Sequence, residues 1–494
     1  MVIEATALSL ESSFFTSLIL MSEMFKFKFL PLLYSVPISW LLKFYNTRMK
    51  KSNDFHKFID FSYKKSMENS KKFHFLGVGG VSMSALARFL VQKGHKVSGV
   101  DLKKNLRIRG VCTSKRQALQ NLKNADFVVV SNAIKATDKD LNFAKTLNKT
   151  ILSRGELLAE IANMHKCVIA VSGTHGKTTT TEMLAEVLTM AGLDPTVHIG
   201  GVSNFFNDNL RVGGSEYFIT EACEYHDSFL CLNPDISIVL NVEEEHLDYF
   251  KTFENEKKSF EKFMAKSKVV VCHKSLEKTG AITFGDGGVF DVKDIKRCEQ
   301  KICFCVQKNG KDFCKITLNS FNQKNVLNAL AVTTVCDKLG IDKKTLQKAF
   351  ANFRGVKRRS QVLSKSPLVI HDYAHHPTEI ENMILSARDF FQKPVWVVFE
   401  PHTYSRTKDL FKDFVRVLSL ADKIFLLPTY FAREEVVEGG RAEDIFNALK
   451  VQNKDAEFFE SYALAKKETL NHLREETLLV LGAGTIDKFW GVKV

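Results

Sequence analysis

The chain has 494 residues, a length that typically holds about three domains of ~100–200 residues each. Hydrophobic residues make up 45% and charged residues 26%, as in ordinary globular proteins, and we find no internal repeat or low-complexity tract. The formal net charge is +14, but no arginine-rich arm or zinc-finger spacing accompanies it, so we expect no nucleic-acid partner. A lysine-rich solvated surface explains most of this charge, and a substrate with several phosphates explains the excess equally well.

The ten cysteines include no CxxC pair, which predicts reduced thiols and a cytoplasmic location. Residues 14–21 are apolar but too few to span a bilayer, and the apolar stretch 25–45 carries Lys26, Lys28, Pro31 and Pro37 among its residues. We therefore expect no membrane association. Residues 1–66 are interpreted as an N-terminal extension, disordered or upstream of the native start, with the functional chain beginning near Met67.

Strands alternate with helices from Lys71 onward, which predicts an α/β fold with parallel sheets. In the first unit, a buried strand at 73–76 runs into a glycine turn and a helix over 84–93, and strands follow at 96–100 and 125–131. We interpret this unit, about 67–164, as a Rossmann-like domain.

Two further α/β units follow. The second, a P-loop ATPase-type parallel-sheet domain at 165–355, opens with a strand at 167–171, a glycine loop and a helix over 178–191. The third, at 356–494, is predicted as another Rossmann-like domain. Further strands are expected at 217–220, 236–240, 268–272, 302–306, 367–370, 395–399, 423–427 and 478–481.

The strongest motif lies in 171–180, where a strand ends in Gly173-Thr-His-Gly176-Lys177-Thr178 and a helix begins. This is the context of a phosphate loop, in which glycines let backbone N–H groups approach an anion at a helix N-terminus. Lys177 is expected to reach the β- and γ-phosphates, and the Thr178 hydroxyl to bind Mg²⁺. A glycine turn before an ordinary helix is the alternative. The predicted ATP-binding loop comprises Gly173, Thr174, His175, Gly176, Lys177, Thr178 and Thr179.

Acidic and imidazole groups follow two later strands. Glu221 and Glu224 come after the strand at 217–220, and 243–246 reads Glu-Glu-Glu-His after the strand at 236–240. Strand ends in such sheets point toward the crevice that holds the phosphates. We predict Glu221 and His246 as Mg²⁺ ligands and regard Glu243 and Glu244 as a solvated loop.

The turn Gly77-Val-Gly79-Gly80-Val-Ser82 resembles a dinucleotide fingerprint, and Asp101 lies where an acid that binds ribose is expected. This pattern indicates a nucleotide diphosphate rather than NAD in particular, and a plain strand-to-helix turn is the alternative. The third unit carries two polar runs after strands, 371–379 and 400–407. Arg406 could hold a carboxylate in a bidentate fork, while a zinc site is the rival interpretation of the histidines.

Taken together and in this order, these motifs resemble the Mur ligases. The resemblance covers about 71–494 and rests on 77–84, 173–180, Asn325-Val-Leu-Asn328-Ala329, Arg358-Arg359, 373–379 and 401–407. It implies three domains, which bind a UDP-sugar, ATP and an amino acid in turn. Within the family the motifs look most like those of members that add L-alanine to UDP-N-acetylmuramate.

The resemblance implies an ATP-dependent, amide-bond-forming acid–amino acid ligase. Such an enzyme activates the carboxylate of UDP-N-acetylmuramate as an acyl phosphate, which L-alanine attacks, and releases ADP and phosphate. The pathway is peptidoglycan synthesis, and hence cell wall biogenesis, cell shape and cell division. We expect ATP and Mg²⁺ as cofactors and a monomer or homodimer. The alternatives are a tripeptide-adding recycling ligase of the same family, a folylpolyglutamate-type ligase, a non-catalytic nucleotide-binding homologue, and a membrane-tethered scaffold.

Site residues follow from the matching motif positions. The resemblance implies these roles: catalytic, Lys177, Glu221, His246 and Arg359; ATP-binding, Asn325, Asn328, Arg359 and Asp372 besides the loop; UDP-sugar-binding, Gly77, Gly79, Gly80, Ser82, Ser84 and Asp101; amino-acid-binding, Tyr373, His375 and Arg406; metal-binding, Thr178, Glu221 and His246. Five positions depart from the family pattern: Ser82, Cys223, Lys324, Ser360 and Thr403. Thr403 replaces a usual arginine, which leaves Arg406 as the expected cation for the carboxylate of the amino acid.

Overall fold

Three β-sheets follow one another along the chain. The computed structural model describes them within residues 70–490, apart from positions 104, 300 and 433. The interpretation of residues 1–66 lies outside the described residues. No helix in the described part combines the length and the apolarity that crossing a membrane takes.

The first sheet is wholly parallel, with strand order β3-β2-β1-β4-β5. Both faces of its central strand are covered, because Phe73 and Phe75 on one face and His74 and Leu76 on the other are almost completely buried. The elements are β1 (Lys72–Leu76), α1 (Val81–Gln92), β2 (Lys96–Val100), β3 (Val111–Cys112), α2 (Ala118–Asn124), β4 (Phe127–Val130), α3 (Lys139–Thr146), β5 (Thr150–Ser153) and α4 (Arg154–Asn163).

The second sheet has ten strands in the order β15-β14-β13-β12-β11-β10-β6-β9-β7-β8. Its central strands are parallel, and antiparallel pairs β13/β14, β14/β15 and β7/β8 extend it at the two edges. The strands are β6 (Cys167–Ser172), β7 (Thr196–His198), β8 (Leu210–Arg211), β9 (Tyr217–Glu221), β10 (Ile236–Val239), β11 (Val269–His273), β12 (Ile282–Phe284), β13 (Phe290–Cys298), β14 (Lys301–Lys308) and β15 (Lys311–Leu318). The helices are α5 (Lys177–Met190), α6 (Leu247–Phe250), α7 (Phe253–Ala265), α8 (Lys324–Lys338) and α9 (Lys343–Ala351).

The third sheet has the order β16-β17-β21-β18-β19-β20, and only β16 among these strands pairs in antiparallel fashion. The strands are β16 (Gln361–Lys365), β17 (Leu368–Asp372), β18 (Val395–Phe399), β19 (Lys423–Leu426), β20 (Ala456–Phe458) and β21 (Thr477–Leu481). The helices are α10 (Pro377–Phe391), α11 (Tyr404–Asp409), α12 (Phe411–Leu418), α13 (Ala442–Val451), α14 (Tyr462–His472) and α15 (Asp487–Trp490).

The predicted α/β architecture with three successive sheets is confirmed. The helix after the first glycine turn begins earlier than expected, at Val81 rather than Ser84. The central sheet is not parallel throughout. Strands β13, β14 and β15 are antiparallel neighbours, a pairing that the sequence did not predict. The domain boundaries at 164/165 and 355/356 stay predictions, and both fall in segments that connect two sheets.

A short segment connects the second and third sheets, and it is fastened to the central domain by backbone hydrogen bonds. Asn204 N–H donates to Gly355 O at 3.0 Å, and Lys357 N–H donates to Val202 O at 2.9 Å. The Arg354 N–H donates to a buried carboxylate on α5, Glu186 Oε1, at 3.1 Å. The connection is therefore bonded to the central domain at three points before the third sheet begins.

Candidate active site

The glycine loop after β6 has the backbone that only glycine adopts readily. Gly176, the N-cap of α5, has φ of +86°, and a Cβ placed there would lie 2.7 Å from Asn328 Oδ1. Asn241, just after β10, braces the loop: its Oδ1 accepts from His175 N–H at 2.8 Å, and its Nδ2 donates to His175 O at 3.1 Å. The loop is thus preformed. Sequence reasoning missed Asn241, although its position after a strand was the available signal.

Lys177 lies across the mouth of this loop. Its Nζ donates to Gly173 O and to Thr174 O, and it donates to both carboxylate oxygens of Glu224 at 2.9 and 3.0 Å. Burial lowers the pKa of Lys177, but the charge of Glu224 outweighs burial and raises the pKa above its usual value. The ammonium group is therefore charged at the position where a phosphate loop meets its nucleotide. Glu224 is a partner that the sequence analysis did not select.

Glu224 also belongs to a cluster of possible metal ligands. Its Oε1 lies 3.7 Å from His246 Nε2, which lies 3.9 Å from Glu245 Oε2, and the three ligand atoms are all within 4.8 Å of one another. Glu256 lies beside this cluster, accepts from Glu245 N–H at 3.1 Å, and has its pKa raised to about 7 by burial. Two carboxylates and an imidazole fit Mg²⁺, a hard cation that takes oxygen ligands first.

The structure separates Glu221 from His246, two of the three residues predicted to bind the metal ion. His246 lies in the cluster, but the carboxylate of Glu221 accepts from Gly200 N–H and lies outside it. Thr178 is buried at the start of α5, where a Cβ on Gly201 would lie 3.2 Å from its methyl carbon. Glu224 and Glu245 therefore join His246 and Thr178 as candidate ligands, and Glu221 stays a prediction.

The metal assignment predicts a dependence on Mg²⁺ concentration. His246→Ala is expected to raise the Mg²⁺ concentration for half-maximal phosphate release by at least about tenfold, since groups around a metal typically contribute 10–100-fold to its affinity. His472→Ala, at an exposed histidine, is the matched control. Glu221→Gln separates the two carboxylate assignments: an unchanged Mg²⁺ requirement favours Glu224 and Glu245, whereas an equal shift restores Glu221 as a ligand.

A cavity of about 390 Å³ opens beside the glycine loop, between the second and third sheets. Asn328 Nδ2 donates to Asn325 Oδ1 at 3.0 Å, so the two asparagines form one polar wall. The cavity brings together seven residues predicted to bind ATP: His175, Gly176, Thr179, Asn325, Asn328, Arg359 and Asp372. The cavity is also lined by Asn241, Asn382 and His273, which the sequence analysis did not predict. His273 is the last residue of β11, so its position at the end of a strand was the available signal.

Glu379, near the start of α10, joins the glycine loop to the third domain. Its carboxylate lies 3.4 Å from His175 Nδ1, 3.3 Å from His375 Nδ1 and 3.8 Å from Arg359 Nη1. Burial raises the pKa of Glu379, but these neighbours outweigh it and hold the pKa well below the usual range. For His175, burial alone would lower the pKa, but the carboxylates of Glu243 and Glu379 outweigh burial and raise the pKa to about 9. A charged imidazole and a carboxylate therefore hold the two domains together.

Asp372 and Arg359 face this cavity from the third domain. Asp372 accepts from Ser360 N–H at 2.6 Å and from Ala374 N–H at 2.8 Å. Burial raises the pKa of Asp372 to about 6, against the opposing charge of Arg359. The Arg359 guanidinium lies 4.9 Å from the centre of the Tyr373 ring, which fixes its plane.

The three residues predicted to bind the amino acid lie next to the acidic cluster. His375 stacks edge-on against Tyr373, with ring centres 5.4 Å apart, and burial lowers its pKa to about 4, so it is neutral. Arg406 donates from Nη1 to His402 O at 2.9 Å, and its Nη2 lies 3.9 Å from Glu245 Oε1. Arg406 thus faces the candidate metal ligands. Thr403 makes a hydroxyl contact with Ser405 at 3.1 Å and adds no charge there.

The predicted UDP-sugar residues gather around the first glycine turn. Gly79 N–H donates to Asp101 Oδ2 at 2.8 Å, so Asp101 bonds to the turn itself. Ser82, which departs from the family pattern, has its hydroxyl 2.9 Å from His198 Nε2 of the central domain. Gly77 has φ of +84°, Gly80 caps α1, and the Ser84 hydroxyl donates to Val81 O. A cavity of about 350 Å³ lined by Asp101, Lys103 and Lys115 lies beside the turn.

A glycine loop with a half-buried, charged lysine, a cluster of two carboxylates and an imidazole, and a third domain in contact with the loop define a nucleotide-using α/β enzyme. Three family models match the chain: the Mur ligase family catalytic domain at 72–166, the Mur ligase middle domain at 171–336, and the Mur ligase glutamate ligase domain at 358–484. The chain belongs to the Mur ligase family.

Similar proteins agree with this assignment. The UDP-N-acetylmuramate–L-alanine ligase of Lachnospira eligens is 38% identical over 451 residues, which cover 86% of this chain and 98% of that protein. The crystal structure of the UDP-N-acetylmuramate-alanine ligase of Thermotoga maritima matches with a TM-score of 0.74 at 28% identity, over 85% of this chain and 98% of that one. The UDP-N-acetylmuramate:L-alanyl-γ-D-glutamyl-meso-diaminopimelate ligase of Neisseria meningitides matches with a TM-score of 0.53 at 27% identity, over 59% of this chain and all of that one.

Proposed function

We propose that this chain joins L-alanine to the carboxylate of UDP-N-acetylmuramate with the consumption of ATP, in peptidoglycan synthesis. The observation that supports the proposal most is the 3.9 Å contact of Arg406 Nη2 with Glu245 Oε1, because Glu245 belongs with Glu224, the partner of Lys177, to the cluster of candidate metal ligands. The relatives that match over most of the chain carry this activity in their names. The ten free cysteines support a cytoplasmic location.

The reaction follows from charge neutralisation and positioning. A sugar carboxylate and the γ-phosphoryl group repel each other, and the cations Lys177 and Arg359 lie where they lower this repulsion. A carboxylate oxygen attacks the γ-phosphorus and ADP leaves, and the amine of L-alanine then attacks the acyl carbon and phosphate leaves. Thr178, Glu224, Glu245 and His246 would hold Mg²⁺, which would neutralise charge on the phosphate oxygens.

The third domain contributes the amino-acid pocket and the exclusion of water. Glu379 binds both the glycine loop and His375, so closing the cleft and completing the pocket are one event. An acyl phosphate is protected from hydrolysis only while that cleft is closed. Arg406 is the cation available for the carboxylate of the amino acid, since Thr403 supplies none.

The proposal is tested by phosphate release from ATP in the presence of UDP-N-acetylmuramate and one acceptor at a time. L-alanine, glycine, L-serine and the tripeptide L-alanyl-γ-D-glutamyl-meso-diaminopimelate form the panel. We expect release that requires both the sugar and L-alanine. Release with the tripeptide alone would assign the recycling activity instead, and no release with any pair would leave a nucleotide-binding homologue without ligase activity.

Arg406→Ala is expected to raise the KM for L-alanine by about 30-fold, because a hydrogen bond to a charged group contributes about 2 kcal/mol. The KM for ATP should stay unchanged, since Arg406 does not line the cavity beside the glycine loop. Arg416→Ala, on the exposed side of α12, is the matched control. Equal rises in both KM values would remove Arg406 from the amino-acid pocket.

A further inference from the structure

A second, larger cavity of about 710 Å³ is lined in part by the connection between the second and third sheets. Its floor is aromatic. Phe321 lies 5.3 Å from Phe391 and 6.1 Å from Phe390 between ring centres, and Phe353 is buried beside them. The volume falls in the range of about 300–1,000 Å³ that is typical of small-molecule sites.

The rim of this cavity is positively charged. Arg297, Arg354, Lys365 and Lys393 surround it, and no Asp or Glu among the described residues lines it. The Arg297 guanidinium lies over the Phe390 ring at 5.1 Å, so one cation already faces the aromatic floor. Within the described part of the chain, Arg354, Lys365 and Lys393 have no ion pair. Four like charges around one opening repel one another, and an anion between them relieves this repulsion.

We propose that this cavity binds a small organic phosphate that carries a flat apolar ring. The ring lies on the phenylalanine floor, and the phosphate lies among the rim cations. The phosphate loop, the candidate metal ligands and the residues predicted to bind the amino acid all lie outside this cavity, and of the residues predicted to bind ATP it includes Asn325 and Arg359 alone.

Binding in this cavity opposes binding of the nucleotide. Arg359 and Asn325 line both cavities, and the connection at 353–356 forms part of the second. An anion in the second cavity draws the charge of Arg359 away from the first, where the γ-phosphate of ATP is expected. The antagonism is reciprocal, because each ligand changes the affinity of the other by the same factor. This coupling rests on the proposed ATP site, whereas binding in the second cavity does not.

The binding test uses the fluorescence of 1-anilinonaphthalene-8-sulfonate, an aromatic anion, with the full chain. Lys365→Glu combined with Lys393→Glu is expected to raise the Kd of the probe by at least about tenfold, because the sulfonate loses two charged contacts. Lys139→Glu combined with Lys145→Glu, at two exposed lysines of α3, carries the same charge change and should leave the Kd unchanged. Arg297→Gln gives a second test outside the third domain. An unchanged Kd in the rim variants, with equal melting temperatures, overturns the proposal.

Competition identifies the ligand chemistry. Phenyl phosphate should displace the probe at concentrations where inorganic phosphate does not, and the relative strength of AMP and UMP then shows whether an adenine or a uracil nucleotide is preferred. Failure of phenyl phosphate to displace the probe overturns the proposal. With a non-hydrolysable ATP analogue, the Kd of the probe should rise to a plateau. A rise without limit would instead show that the probe occupies the first cavity.

Discussion

Lys177→Met is expected to lower the turnover number for phosphate release by roughly 1,000-fold, as removal of one preorganised charged donor from an active site can cost 2.7–4 kcal/mol. The ammonium group holds the carbonyl oxygens of Gly173 and Thr174 and the carboxylate of Glu224 in one place, at the start of α5. Methionine has a side chain of similar length, but it lacks the positive charge and cannot donate these hydrogen bonds. Steady-state kinetics with saturating ATP measures this loss.

The same substitution leaves Glu224 buried and without its partner. Unpairing a buried charge typically costs about 3–5 kcal/mol, so the melting temperature should fall together with the activity. Adding Glu224→Gln removes the buried charge and should restore most of the stability while the activity stays lost. Lys166→Met, at a lysine whose side chain is 84% exposed, is the control. A double variant that regains activity would show that Lys177 acts on stability alone.

Glu379→Gln is expected to lower the turnover number by roughly 100-fold, because displacing catalytic groups by about 1 Å can cost that much. This factor corresponds to about 2.7 kcal/mol in the activation free energy. Its carboxylate holds His175 of the glycine loop together with Arg359 and His375 of the third domain. Glutamine keeps the shape of the side chain but loses the negative charge that pairs with the charged groups His175 and Arg359. Glu381→Gln, two residues further along α10, is the matched control, because Glu381 forms its ion pair with Arg416, on the exposed side of α12.

The contact between His175 and Glu379 also makes a prediction about pH. Burial alone would lower the pKa of His175, but Glu243 and Glu379 raise it from 6.5 to about 9. Because the pKa is raised in the folded protein, the contact contributes fully below pH 6.5 and is lost as pH rises through about 9. ATP affinity should therefore decline over that interval, and in Glu379→Gln the decline should begin at lower pH. An identical profile in both proteins would assign the titration to another group.

The sequence predicts the central strands and the phosphate loop because their signals are local. Apolar runs such as 167–171 form strands buried on both faces, and the order glycine, lysine, threonine has few structural alternatives. The strands β13 and β15 carry no such signal: β13 is largely charged and mostly outside the core, so its pairing depends on its neighbours in the sheet.

The choice between Glu221 and Glu224 was beyond the sequence. Both follow β9, and the spacing of three residues does not tell which side chain faces the loop. After Glu224 the chain makes a kink at His226 and Asp227, both with φ of +54°, and it is the carboxylate of Glu224 that accepts from Lys177 Nζ. Glu379 ends the polar run 371–379, but its contact with His175 depends on the packing of two domains, which residue spacing does not encode.

The seam formed by Asn204, Gly355 and Lys357 has a mechanical consequence. Because these hydrogen bonds fix the connection to the central domain, the third domain can move by a hinge rotation about that segment and not by free diffusion on a flexible linker. Between turnovers Arg359 and Glu379 would then stay close to the glycine loop. Their effective concentration at the loop would be high and would depend little on the length of the connecting segment.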